Sequence, residues 1–199
     1  MRKLIPIFAI LLLMVGFYGC SRDQAPTADN PFGPSTSHVV INLSAHPSVV
    51  QALDNFRNTS SNISVVKAKI YDFQKGPLSN VTIFFYISDV SIPFTSPNSD
   101  WSCAYIGSWG NINGDQTKSV NAVTDLSGVA SITYTPPPAS GMKVVCDTGE
   151  VDPDTGEPVY VYYNVDYITV YITATWKGQE WPDGSFGDVS AIVPIKVLR

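Results

Sequence analysis

From residue 39 onward, apolar residues recur at every second position in run after run. Val66, Ala68 and Ile70 alternate with Lys67, Lys69 and Tyr71; Val81, Ile83, Phe85 and Ile87 with Thr82, Phe84 and Tyr86; Ile168, Val170, Ile172 and Ala174 with Thr169, Tyr171 and Thr173. The same period holds for Val39, Ile41 and Leu43, for Ala130, Ile132 and Tyr134, and for Val189, Ala191, Val193, Ile195 and Val197. A period of two lets a strand bury one face and wet the other, whereas a helix would bury both sets in turn. Gly76-Pro77, Asp125-Leu126-Ser127-Gly128, Lys177-Gly178 and Pro182-Asp183-Gly184 punctuate the runs with turn chemistry. Many short alternating runs between such turns predict an all-β sandwich or barrel.

Three local expectations accompany that pattern. Val50 to Phe56 offers one helical turn before Asn58-Thr59-Ser60-Ser61-Asn62 ends it. Val159 to Trp176 is too long for one typical strand, so a break is expected near Asn164-Val165-Asp166, making Val159–Tyr163 a separate hairpin arm. Pro194 lies inside the last run and has no N–H to donate, so that strand is expected at a sheet edge or bulged there.

Val66-Lys67-Ala68-Lys69-Ile70-Tyr71-Asp72, then Lys75-Gly76-Pro77-Leu78, Asn80-Val81-Thr82-Ile83-Phe84-Phe85, Thr124-Asp125-Leu126-Ser127-Gly128-Val129-Ala130 and Ile172-Thr173-Ala174-Thr175 follow one another in order. Together they resemble a bacterial Ig-like domain of the invasin/intimin type. The resemblance implies an Ig-like Greek-key β-sandwich over 38–199, with insertions at 89–116 and 139–161 and an added strand at 188–198. It also implies a role in adhesion or surface assembly. The turn has its own physical reason: the Asp125 side chain can cap it, and Gly128 supplies positive φ.

The N-terminus reads as an address. Arg2 and Lys3 precede the apolar run Leu4–Tyr18, about 15 residues and so short of the roughly 20 that span a bilayer as a helix. Gly19-Cys20 closes it, which resembles a bacterial lipoprotein signal cleaved before a cysteine that takes lipid. Phe17 and Tyr18 depart from the aliphatic and small residues usual at those positions. The resemblance makes 1–19 a signal peptide and Cys20 the acylated residue, palmitate among its chains. Several acyl chains together anchor stably, and Ser21 points toward the outer membrane or cell surface. Residues 21–37, with Pro26, Pro31, Gly33 and Pro34 and no apolar period, read as a flexible linker.

Cys103 and Cys146 remain once Cys20 is assigned, one in each insertion. An exported chain sits where disulfides persist, so the two are expected to pair, the alternative being two free, buried thiols. Asp147, Glu150, Asp152, Asp154 and Glu157 crowd one segment, which reads as a solvated hairpin tip in preference to a calcium loop. Trp101, Tyr105 and Trp109 either contact a ligand, sugar or protein, or cap an open end of the sandwich. Trp176 and Trp181 carry the same two readings.

A net charge of −5 argues against nucleic acid, which needs a basic surface. With two histidines and no nucleophile elbow, metalloprotease helix or phosphate loop, no catalytic set, metal or cofactor is expected, and the chain is not expected to be an enzyme. The expected partners are the membrane, through the lipid, and a protein of the envelope or surface. The leading expectation is a lipid-anchored envelope protein with a structural or protein-interaction role. The alternative is a carbohydrate-binding module using the aromatics of 94–112.

Overall fold

A computed structural model describes residues 39–53, 62–114, 117–180 and 186–199. The expected signal peptide, Cys20, the linker and Trp181 lie outside the described residues. Among the described residues thirteen strands follow in order: β1 Val39–His46, β2 Val49–Gln51, β3 Ser64–Asp72, β4 Gly76–Pro77, β5 Thr82–Ser91, β6 Ser102–Tyr105, β7 Asn111–Ile112, β8 Ser119–Val123, β9 Val129–Thr135, β10 Lys143–Val151, β11 Pro158–Asn164, β12 Tyr167–Glu180 and β13 Phe186–Leu198. A 3-10 turn at Ala139–Gly141 precedes β10.

The strands form three sheets. One has the order β1-β3-β9-β7 with β4 added to β3; the second is β2-β13-β12-β5-β8; the third is β11-β10-β6. Named pairings are antiparallel except β2 on β13. The alternating apolar sets of the first two sheets meet in one core. Val66, Ala68, Ile70, Ile83, Phe85, Ile168, Val170, Ile172 and Ala174 are all fully buried in it. Burying a Phe85-sized side chain contributes about 1.5–3 kcal/mol.

The break before β12 falls where expected, at Val165 and Asp166. The arm β11 turns back on β10, however, not on β12. Its hairpin loop is therefore the acidic segment. Val50 corrects the expected helical turn: it is buried on β2, paired with Val197. Residues 54–61, the rest of that stretch, lie outside the described residues.

Pro194 sits on an open stretch of edge. Lys196 donates its N–H to the Ser48 carbonyl (2.9 Å), on the side of β13 away from β12. Alternate residues aim their backbone groups the same way. The N–H that Pro194 lacks would have faced that outer side, where β2 reaches only Lys196–Leu198, and its pairing with Tyr171 proceeds without it.

The two segments expected as loop or hairpin insertions carry strands, the second of them as the β10–β11 hairpin. They supply β6, β7, β10 and β11, and with them the whole third sheet.

Candidate interaction surface

The third sheet is built around β10. Its register sets Val144, Val145, Cys146 and Asp147 against Tyr105, Ala104, Cys103 and Ser102 of β6. On the other side Lys143 to Asp147 run against Asn164 to Tyr160 of β11. Directly opposed residues share a face, and faces alternate along each strand.

The inner face carries Val144 and Cys146, both fully buried, with Cys103, Tyr105, Val161 and Tyr163. Cys103 and Cys146 are disulfide-bonded, as expected, and join directly opposed positions of neighbouring strands. Phe94 packs on Tyr163 with ring centroids 5.4 Å apart.

The outer face is a grid of three rows: Ser102, Asp147 and Tyr160; Ala104, Val145 and Tyr162; then Ile106, Lys143 and Asn164. Ile106 extends the β6 register by donating its N–H to the Lys143 carbonyl (3.1 Å). Tyr160 is 49% exposed, Tyr162 61% and Ile106 53%. Two tyrosines two residues apart on one strand stand roughly 7 Å from each other. Sequence reasoning passed over both, although the Val-Tyr-Val-Tyr order of 159–162 already sets them on one face.

The aromatics singled out from sequence are placed differently. Trp101, Tyr105 and Trp109 are half-buried and pack against the core together with Phe94; Trp176 does the same. The Tyr105 hydroxyl donates to the Ser108 carbonyl (2.9 Å), and the buried Tyr134 hydroxyl of β9 donates to the Trp109 carbonyl (3.0 Å). Two phenols thus fasten consecutive carbonyls of the 105–110 loop. Lys118 Nζ lies 4.4 Å from the centre of the Trp109 ring.

Burial acts on both phenols. It pushes the Tyr105 phenol up to about 12, and it holds Tyr134 well above the ordinary tyrosine value, with the nearby Tyr105 adding to the effect. Below the unfolded value of about 10 both states keep the proton, and the stabilisation is complete. Above it the unfolded chain ionises first, so stability falls as pH rises toward the folded values. For Tyr134 alone the slope is about 1.4 kcal/mol per pH unit. Urea midpoints should therefore decline between about pH 10 and 12, and Tyr134→Phe should decline less steeply. An identical slope in that variant would refute the assignment.

The acidic segment is a hairpin tip whose carboxylates serve the turn. Asp152 Oδ1 accepts from the N–H groups of Asp154 (2.8 Å) and Thr155 (3.1 Å), and Asp147 Oδ1 accepts from that of Gly149 (2.9 Å). Among the described residues, no group of three or more His, Cys, Asp or Glu side chains is arranged to hold a metal ion.

The Asp125 turn links β8 in one sheet to β9 in the other. Asp125 Oδ1 accepts from Ser127 N–H (2.8 Å) and Val129 N–H (3.0 Å), and Gly128 takes φ +73°. Buried Thr124 fastens the neighbouring loop. Its Oγ1 donates to the Leu78 carbonyl (2.8 Å) and accepts from Val81 N–H (3.0 Å).

Compared with family models, curated proteins and solved structures, the chain matches none.

Proposed function

We propose that this chain is a lipid-anchored envelope protein. In this reading its Ig-like sandwich displays the β6-β10-β11 sheet to a protein partner on the cell surface or in the envelope. The observation that carries the interaction role is the outer face of that sheet. Tyr160, Tyr162 and Ile106 stand in solvent on a platform whose other side is fixed by the Cys103–Cys146 bond. Rigid exposed tyrosines lose little side-chain entropy on binding and give large contact area, which is why they dominate protein contact surfaces.

The Ig-like reading draws support from strand order. β1-β3-β9 in one sheet and β13-β12-β5 in the other correspond to strands A-B-E and G-F-C of that architecture. The anchor reading rests on the sequence around Cys20. Fold alone names no partner. The carbohydrate reading receives less support, because Trp101, Tyr105 and Trp109 are engaged with the core and Tyr105 spends its hydroxyl on Ser108.

The test has two arms. Metabolic labelling with a palmitate analogue should mark the wild type and miss Cys20→Ala. A photo-crosslinking amino acid in place of Ala104, on the outer face, should give a defined protein adduct in cells for the anchored form only. No label sinks the anchor, and no adduct sinks the display role. Sugar binding lost in Trp101→Ala and Trp109→Ala would move the function to the alternative.

A further inference from the structure

Resting on that reading of the small sheet, we infer that it is displayed as a pair, a second copy of this chain joining through antiparallel pairing of β11 with β11 and doubling the outer face. The backbone shows which groups have no partner strand among the described residues. Val165 donates its N–H to the Met142 carbonyl (3.2 Å), and the Val159 carbonyl accepts from the Thr148 hydroxyl (2.9 Å). Odd-numbered residues of this strand therefore face β10. Even-numbered ones aim their backbone groups at the open edge. That edge offers the N–H and C=O of Tyr160, Tyr162 and Asn164, and the C=O of Pro158.

Natural edge strands are blunted by charge, proline, bulges or short length. β11 uses none of these along 159–164. It is Pro-Val-Tyr-Val-Tyr-Tyr-Asn, uncharged, and its register against β10 is regular over Tyr160–Asn164. Most other edges are blunted: β2, β4 and β7 are two or three residues long, β6 has four, and β8 follows Lys118. The β1 edge is uncharged like β11, but it turns Asn42, Ser44 and His46 outward where β11 turns Tyr160 and Tyr162.

The strand is also complementary to itself. A two-fold axis at Val161 opposes Tyr160 to Tyr162 of the second copy, and Tyr162 to its Tyr160. These are the edge-facing residues, so the register forms about six inter-chain backbone hydrogen bonds. Four tyrosines then line one continuous outer face, with Val161 against Val161 and Val159 against Tyr163 on the inner one.

Charge agrees with this register. Pro158 of one copy opposes Asn164 of the other. The acidic turn with Asp152, Asp154 and Glu157 thus comes next in line to the end where Lys143 pairs with Asn164 and Arg199 bonds the Asp166 backbone. Two cations and one acid at that end meet three acids. A two-fold interface of this kind closes on itself and stops at two copies.

Sedimentation of the detergent-solubilised full chain should give a dimer. Tyr162→Lys, which sets charges into the paired edge, should weaken dimerisation by at least about tenfold. At a dilution where both are monomeric its thermal midpoint should match that of the wild type, because Tyr162 is outside the core. A photo-crosslinking residue at 162 in intact membranes should link to the 158–164 segment of a second copy. A monomer at the highest soluble concentration, or a dimer indifferent to Tyr162→Lys, overturns the self-pairing. A crosslink from 162 to a different envelope protein refutes the second copy and keeps the display role. No crosslink from either 104 or 162 removes both.

Discussion

Reducing the Cys103–Cys146 bond is expected to lower the unfolding free energy by about 4 kcal/mol. The bond ties residues 43 apart in sequence, and closing a loop of that size removes much of the unfolded chain's freedom. The location adds a local consequence. β6 is four residues long and pairs with β10 on one side only. Without the link, 102–110 keeps four register positions and the Ile106 hydrogen bond to β10, the Tyr134 contact at Trp109, and the packing of half-buried Tyr105 and Trp109 on the core. Reduced wild-type protein keeps both sulfur atoms in the core and loses only the tether. The double variant Cys103→Ala with Cys146→Ala also empties volume beside fully buried Val144, so it should lose somewhat more. Urea unfolding of the three forms measures both parts, and amide exchange should show β6 opening first. Equal midpoints for oxidised and reduced protein would refute the tethering role.

The parts of the fold that were legible are those where one residue type does one job. Val66, Ala68 and Ile70 advertise a buried face because their neighbours are two lysines and a tyrosine. Pro194 announces an edge because it lacks a donor. Asp125 and Gly128 announce their turn because few other residues suit those positions.

The third sheet was hard to read for the opposite reason. β6 is Ser-Cys-Ala-Tyr, too short to display a period, and β10 runs Lys-Val-Val-Cys-Asp-Thr-Gly-Glu-Val, where Val145 breaks the alternation. Only one face of this sheet meets the core, so an apolar residue on its other face carries no penalty that sequence would betray. The candidate surface was obscured similarly. Tryptophans drew attention to 101–109, yet large rings lie as readily over a core as in solvent. Tyr160 and Tyr162 stood in a run that reads as an ordinary strand. β2 was hidden because three residues following Pro47 cannot show a period, and the partner that makes them a strand lies far along the chain in β13.

Gly128→Ala is expected to cost about 3 kcal/mol, of which positive φ accounts for about 1. The remainder is crowding. A Cβ at this position would sit 2.6 Å from the Ile70 carbonyl oxygen and 3.0 Å from Pro77 Cβ. Neither can retreat easily. Ile70 lies on β3 in the middle of its sheet, and its own N–H donates to the Gly128 carbonyl (2.9 Å). The turn is thus pressed onto the strand it hydrogen-bonds. Gly156 provides the comparison, because it has the same φ of +73° with nothing within 4 Å of a built Cβ. Gly156→Ala should therefore lose only the backbone part, about 1 kcal/mol. Asp125→Ala should fall between the two. It frees Ser127 N–H and Val129 N–H, which water reaches in part, at a cost of about 1–2 kcal/mol. Denaturant midpoints for the three variants place them in the order 128, 125, 156. Equal losses at 128 and 156 would mean that φ alone demands glycine in this turn, and that the close approach to β3 is incidental.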